Sequence, residues 1–148
     1  MFKTSVATRM ISFAVLITLL LASFPTATAA AKGNNQGLEA KWAKLMVAYH
    51  RQSTIHNSAP GWVAKWMSEH TKAPARKKAE LQKDLSTSNA AWAPVLSIVT
   101  GHNGFDTQGN VVDKAAARQS VKDLSRALQR YSASSKRLKA FLRQYRME

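Results

Sequence analysis

The sequence predicts an all-α fold: an antiparallel helical bundle of about four segments with a long C-terminal helix, behind a cleaved N-terminal signal peptide. Three observations carry this. From residue 38 onward, apolar residues recur at steps of three and four, the spacing of a single helix face. No stretch alternates polar and apolar residues as a half-buried strand would. The chain contains no cysteine, so an exported domain of this size must hold its fold by packing rather than by disulfide staples.

The leader is read from its charges and its length. Lys3 and Arg9 are the only charges before Lys32, and an apolar stretch of fifteen residues runs from Met10 to Phe24. That is short for a membrane-spanning helix, which needs about 20 residues, and suits a signal-peptide core of about 7–15. Pro25 ends it, and Ala27-Thr28-Ala29 places small residues where signal peptidase reads them. The predicted cut follows Ala29, with Ala31 as the alternative, and the protein is expected to be secreted or periplasmic. An uncleaved N-terminal anchor is the competing reading. Residues 30–37 are small and polar and form a flexible lead-in; residues 38–148 form the basic helical domain. Two of the 22 basic residues leave with the leader, so 20 stand against eight acidic ones, a formal charge of +12.

Along the domain, Leu38, Trp42, Leu45 and Tyr49, with Met46 beside them, predict a first helix from about Gly37 to Ile55. Asn57-Ser58-Ala59-Pro60 offers cap residues and a proline suited to a first helical turn, predicting a short second helix over about 60–71. Trp62, Val63, Trp66, Met67 and His70 share one of its sides. Thr71 to Pro74 reads as a turn. Leu81, Leu85, Ser88, Trp92, Val95 and Val99 then keep one phase across Pro94, which predicts a single kinked helix from 75 to 100 rather than a break. Residues 101–112 are glycine- and asparagine-rich and form a loop. In it Asp106 caps its own turn and Phe105 tucks into the bundle end. Asp113 is placed as an N-cap, with Val112 available to pack against the following turns.

The last segment is the most regular. Ala117, Val121, Leu124, Leu128, Tyr131, Ser135, Leu138, Leu142 and Tyr145 alternate steps of four and three, and neither glycine nor proline interrupts 113–147. At 1.5 Å per residue this predicts one rod of roughly 50 Å, with Ser135 the weak point of its seam.

Function is argued from the other face of that rod. Lys114, Arg118, Lys122, Arg126, Arg130, Lys136, Arg137, Lys139, Arg143 and Arg146 are opposed only by Asp113, Asp123 and Glu148. Arg118, Lys122, Arg126 and Arg130 form one ridge at i+4; Lys136, Lys139, Arg143 and Arg146 form a second at steps of three and four. A face that only solubilises usually mixes both signs, so the excess points to a docking surface for an anionic polymer, an anionic lipid or an acidic protein surface. Sequence-specific nucleic-acid binding is not expected, because no zinc finger or ribonucleoprotein motif is present. Trp62 and Trp66, beside Lys65 and Lys72, read either as bundle core or as a contact with a membrane or partner.

Chemistry is sparse. The absence of cysteine excludes thiol nucleophiles and thiolate metal sites. His50, His56, His70 and His102 include no pair at i+4, and no metal or cofactor is expected. A non-enzymatic binder of anionic surfaces is therefore the leading expectation, with peripheral membrane association as one form of it. The alternative is a periplasmic or secreted interaction factor (a chaperone, inhibitor, immunity-type protein or assembly subunit) that uses the long seam, with a homodimer through the C-terminal helix as one form of it. A third reading is an enzyme assembled from the four histidines and the 101–112 loop.

Overall fold

The computed structural model describes residues 35–147, with side chains to Tyr145. The predicted leader and most of the lead-in lie outside the described residues. Within them the chain is helical: α1 Gln36–Glu69, α2 Ala75–Gly101, α3 Lys114–Ser134 and α4 Lys136–Met147. The helices run up, down and up again. Tyr49 stacks on Trp92 at 5.5 Å, and Gln82 reaches Met67 across the α1–α2 turn. Trp92 meets Tyr131 edge-on at 4.7 Å, so α3 returns antiparallel to α2. Among the described residues no helix is long and apolar enough to cross a membrane.

Two boundaries differ from the sequence expectation. First, α1 does not stop near Ile55 but continues through Pro60 to Glu69, so there is no separate short second helix. The proline forfeits one backbone hydrogen bond, a cost of about 3 kcal/mol in a helix interior. Against this, Ala59 just before it and Val63 and Trp66 beyond it are all buried, in one cluster with Leu81, Leu138 and Leu142. The seam on α1 runs Trp42, Leu45, Tyr49, Gln52, His56, Ala59, Val63, Trp66 without a slip. Gln52 and His56 are its polar members, and they conceal the continuity. Just before the proline, Thr54 and Ser58 hydroxyls donate to the carbonyls of His50 and Thr54 at 3.1 and 2.7 Å.

Second, the expected single rod is two helices, parted at Ser135. Its φ of −91° and ψ of 2° leave the helical region, while its buried hydroxyl donates to the Tyr131 carbonyl at 2.6 Å. Such back-bonding from serine bends helices. The interruption is one residue wide: the Ser135 amide still donates to Tyr131, and Lys139 donates to Ser135. The seam therefore keeps its phase into Leu138 and Leu142, both buried. By contrast α2 runs unbroken through Pro94, as its phase predicts.

The core falls into two clusters. Trp42, Trp92, Val95, Phe105, Ala117, Leu124, Leu128 and Tyr131 fill the end where α3 begins. The cluster around Trp66 and Leu138 fills the end where α4 lies. Between them Ser88 and Ser135, each 1% exposed, flank Tyr131 as a polar layer. Burial raises the Tyr131 phenol above its ordinary pKa, against hydrogen bonds with Ser88 and Ser135 that favour ionisation.

The 101–113 loop closes the first end. Phe105 stacks on Trp42 at 4.5 Å and makes an isolated antiparallel bridge with Val111. The Asp106 carboxylate accepts from the amides of Gln108 and Asn110, both at 2.9 Å, which holds its pKa below the usual carboxylate value, the Asn110 side chain contributing most. Gly109 takes a φ of +85°, which glycine adopts without steric cost. Asp113 caps α3 by accepting from the Ala116 amide at 2.9 Å. The expected staple from Val112 does not form: Val112 is 64% exposed, and Val111 packs on the core instead.

Candidate anion-binding surface

On α3, each fourth residue from Arg118 carries a cation: Arg118, Lys122, Arg126 and Arg130 are all exposed. The apolar positions of α3 turn inward at Ala117, Leu124, Leu128 and Tyr131, so the i+4 row drifts slowly across the opposite face. Three ion pairs form among the described residues: Lys65–Glu69, Arg76–Glu80 and Arg137–Asp84. None of them involves the α3 row. Asp123, its nearest acid in sequence, accepts instead from Gln119 at 2.8 Å.

The second ridge, on α4, is not one surface. Lys136 and Arg143 are exposed. Arg137 turns toward α2 and pairs with Asp84 at 3.5 Å. Lys139 turns toward α1: its ammonium donates to Gln52 at 2.6 Å and lies 4.9 Å from the Tyr131 ring centroid. Burial, and then the charges of Arg143 and Arg51, lower its pKa from the usual lysine value. The side chain of Arg146 lies outside the described residues.

Lys139 and Arg143 border a groove between α1 and α4 of about 480 Å³, with Arg51, Ile55, Ser58, Trp62 and Leu142 completing its lining. Arg51, Ile55, Ser58 and Trp62 follow at steps of four, three and four on α1. The sequence predicts a helix end at about Ile55, inside that row, and so does not mark it. Reading α1 as one helix would have found it.

The two tryptophans part company. Trp66 is 4% exposed, stacked on His70 and edge-on to Phe141, so it is a core residue and not a surface contact. Trp62 is half-buried on the groove, edge-on to Tyr145 with the Lys65 ammonium 5.5 Å from its ring. The histidines likewise pack against rings rather than against one another. His56 stacks on Trp92, His70 on Trp66, and His102 meets Trp42 edge-on. His50 lies against Tyr49. Among the described residues no three His, Asp or Glu side chains gather as a metal site would require.

The nine seam positions of α3 and α4 face α1 and α2 within the chain. Seven are buried, Val121 and Tyr145 partly so; the Tyr145 hydroxyl donates to Glu69. At 34 residues α1 is long enough to cover that seam along both helices. An open cleft of about 830 Å³ lies at the other end, between α1 and the loop, lined by Glu39, Trp42, His102, Phe105 and Asp106 among others. It carries carboxylates where the α1–α4 groove carries cations. Comparison of the chain with protein-family models, curated proteins and solved structures gave no match.

Proposed function

We propose that this is an exported, non-enzymatic protein that binds anionic polymers or anionic surfaces through the cations of α3 and α4. One observation carries the reading: Arg118, Lys122, Arg126 and Arg130 stand in a row at i+4, exposed, with no ion pair to any described carboxylate. Like charges at this spacing repel by a few tenths of a kcal/mol per pair. A helix that needed only solubility would gain by alternating signs. The leader-like segment supports an envelope or extracellular setting, where acidic polysaccharides and anionic lipids are the available polyanions.

The test is retention on heparin and DNA, read against salt. Each phosphate neutralised on duplex DNA adds about −0.9 to the slope of log K against log salt. Replacing the four ridge cations by Gln should flatten the slope on DNA by up to about 3.6. Failure of the full chain to bind heparin, DNA and anionic vesicles at low salt would remove the reading.

A further inference from the structure

We infer that the groove between α1 and α4 holds the phosphate of a single anionic phospholipid between Arg51, Lys139 and Arg143, with the base of its acyl region on Ile55 and Trp62. The inference rests on the reading of the protein as a binder of anionic surfaces, and gives that reading a defined ligand and place.

Four observations meet in this groove. Three cations from two helices border one concavity, and none of them pairs with a described carboxylate. Lys139 is half-buried between its two cationic neighbours, its ammonium anchored by Gln52, so a positive site is already ordered and has no counter-charge among the described residues. The lining is mixed: Ile55, Leu142 and the Trp62 indole sit beside the cations. A linear polyanion has no use for an apolar floor, whereas a lipid offers a phosphate next to hydrocarbon, and indoles and long basic side chains suit that boundary. Finally, a volume of about 480 Å³ lies within the roughly 300–1,000 Å³ of small-molecule sites, enough for a head group and the start of its chains. Arg143 and Arg51 supply planar donors that match phosphate oxygens, and Lys139 adds a compact charge.

The α3 ridge has no such floor, so the two surfaces separate by ligand. The full chain is titrated calorimetrically with water-soluble short-chain phosphatidic acid, with short-chain phosphatidylcholine and with inorganic phosphate. Saturable binding of phosphatidic acid is expected, with phosphatidylcholine and free phosphate at least about tenfold weaker, since each lacks the net charge or the hydrocarbon that the groove meets. K139Q/R143Q should lower the phosphatidic acid affinity at least about tenfold, as expected for loss of charge-assisted hydrogen bonds. R51Q, on exposed α1 and outside the α4 packing, should lower it too if the double variant proves unstable. The four-residue Gln variant of the α3 ridge should leave it unchanged.

Equal losses from ridge and groove variants, or phosphate binding as tightly as the lipid, would overturn the lipid site. Heparin retention that persists while the groove variants change nothing would overturn this inference alone. Loss of heparin retention with saturable phosphatidic acid binding intact would instead overturn the wider polyanion reading and leave the groove standing.

Discussion

α3 and α4 each carry a row of cations, yet they present them differently. On α3 the row from Arg118 to Arg130 faces away from α1 and α2 and forms no ion pair among the described residues. On α4, Arg137 is drawn to Asp84 of α2 and Lys139 to Gln52 of α1, leaving Arg143 at the mouth of a groove with Arg51. Periodicity fixes which residues share a face. Whether a cation on that face is free, paired or half-buried depends on what the neighbouring helices offer at the same height.

The two helices differ less in their cores, and this is where the comparison is most readily broken. Leu124 is 0% exposed in the α3 cluster and Leu138 is 1% exposed in the α4 cluster. If both halves melt as one unit, Leu124→Ala and Leu138→Ala should each cost about 2–5 kcal/mol in urea unfolding, with one transition. A markedly smaller loss for Leu138→Ala, or a second transition, would mean that α4 opens on its own and that its groove is not a fixed site.

The start of α3 is held by a close approach of the preceding loop. A Cβ at Gly104 would come within 2.2 Å of the Ala117 amide nitrogen, a backbone atom that moves only with the helix. Gly104→Ala should therefore destabilise by about 1–3 kcal/mol, the range of overpacking. Little change in the denaturation midpoint would show that the α3 ridge is less firmly oriented than its contacts imply.

At the boundary between the helices the buried Ser135 hydroxyl donates to the Tyr131 carbonyl. Ser135→Ala loses a buried hydrogen bond worth about 1 kcal/mol and gains about 0.5 kcal/mol of helix propensity. The net change in stability should stay within about 1 kcal/mol, and amide exchange should show α3 and α4 running as one helix. An unchanged break in Ser135→Ala would assign it to packing and not to the serine.

The smallest effect separates neutral from charged imidazole. His56 stacks on Trp92 with its Nδ1 buried and without a hydrogen-bond partner among the described residues, and burial lowers its pKa below the ordinary 6.5. The unfolded chain therefore takes up this proton first as pH falls. The stability that the neutral ring contributes is full above pH 6.5 and declines below it, until the folded form protonates as well. Unfolding in urea at falling pH should show this decline, and His56→Gln should reduce its slope. An identical slope in the variant would place the titration elsewhere.

Much of this was legible in advance. The seams of α2 and α3 are local patterns, and the caps at Asp113 and Asp106 use side chains within four residues of their partners. The α3 ridge was equally legible, because a row at i+4 needs no knowledge of its neighbours. The phase argument that carried α2 through Pro94 also applies to Pro60, but Gln52 and His56 sit on that seam and hide it. The α1–α4 groove was not legible: Arg51 and Lys139 are 88 residues apart in sequence, and nothing in either segment announces the other.

What the sequence determined by itself is a disulfide-free set of amphipathic helices with an excess of positive charge on the last of them, because backbone periodicity and local hydrogen bonds act over a few residues. The tertiary structure decided that α1 passes a proline, that the last segment divides at Ser135, that Trp66 is core, and which cations remain open to a ligand. Each of those outcomes is a balance between a local cost and burial supplied by a distant helix, and the distant term exists only once the bundle has formed.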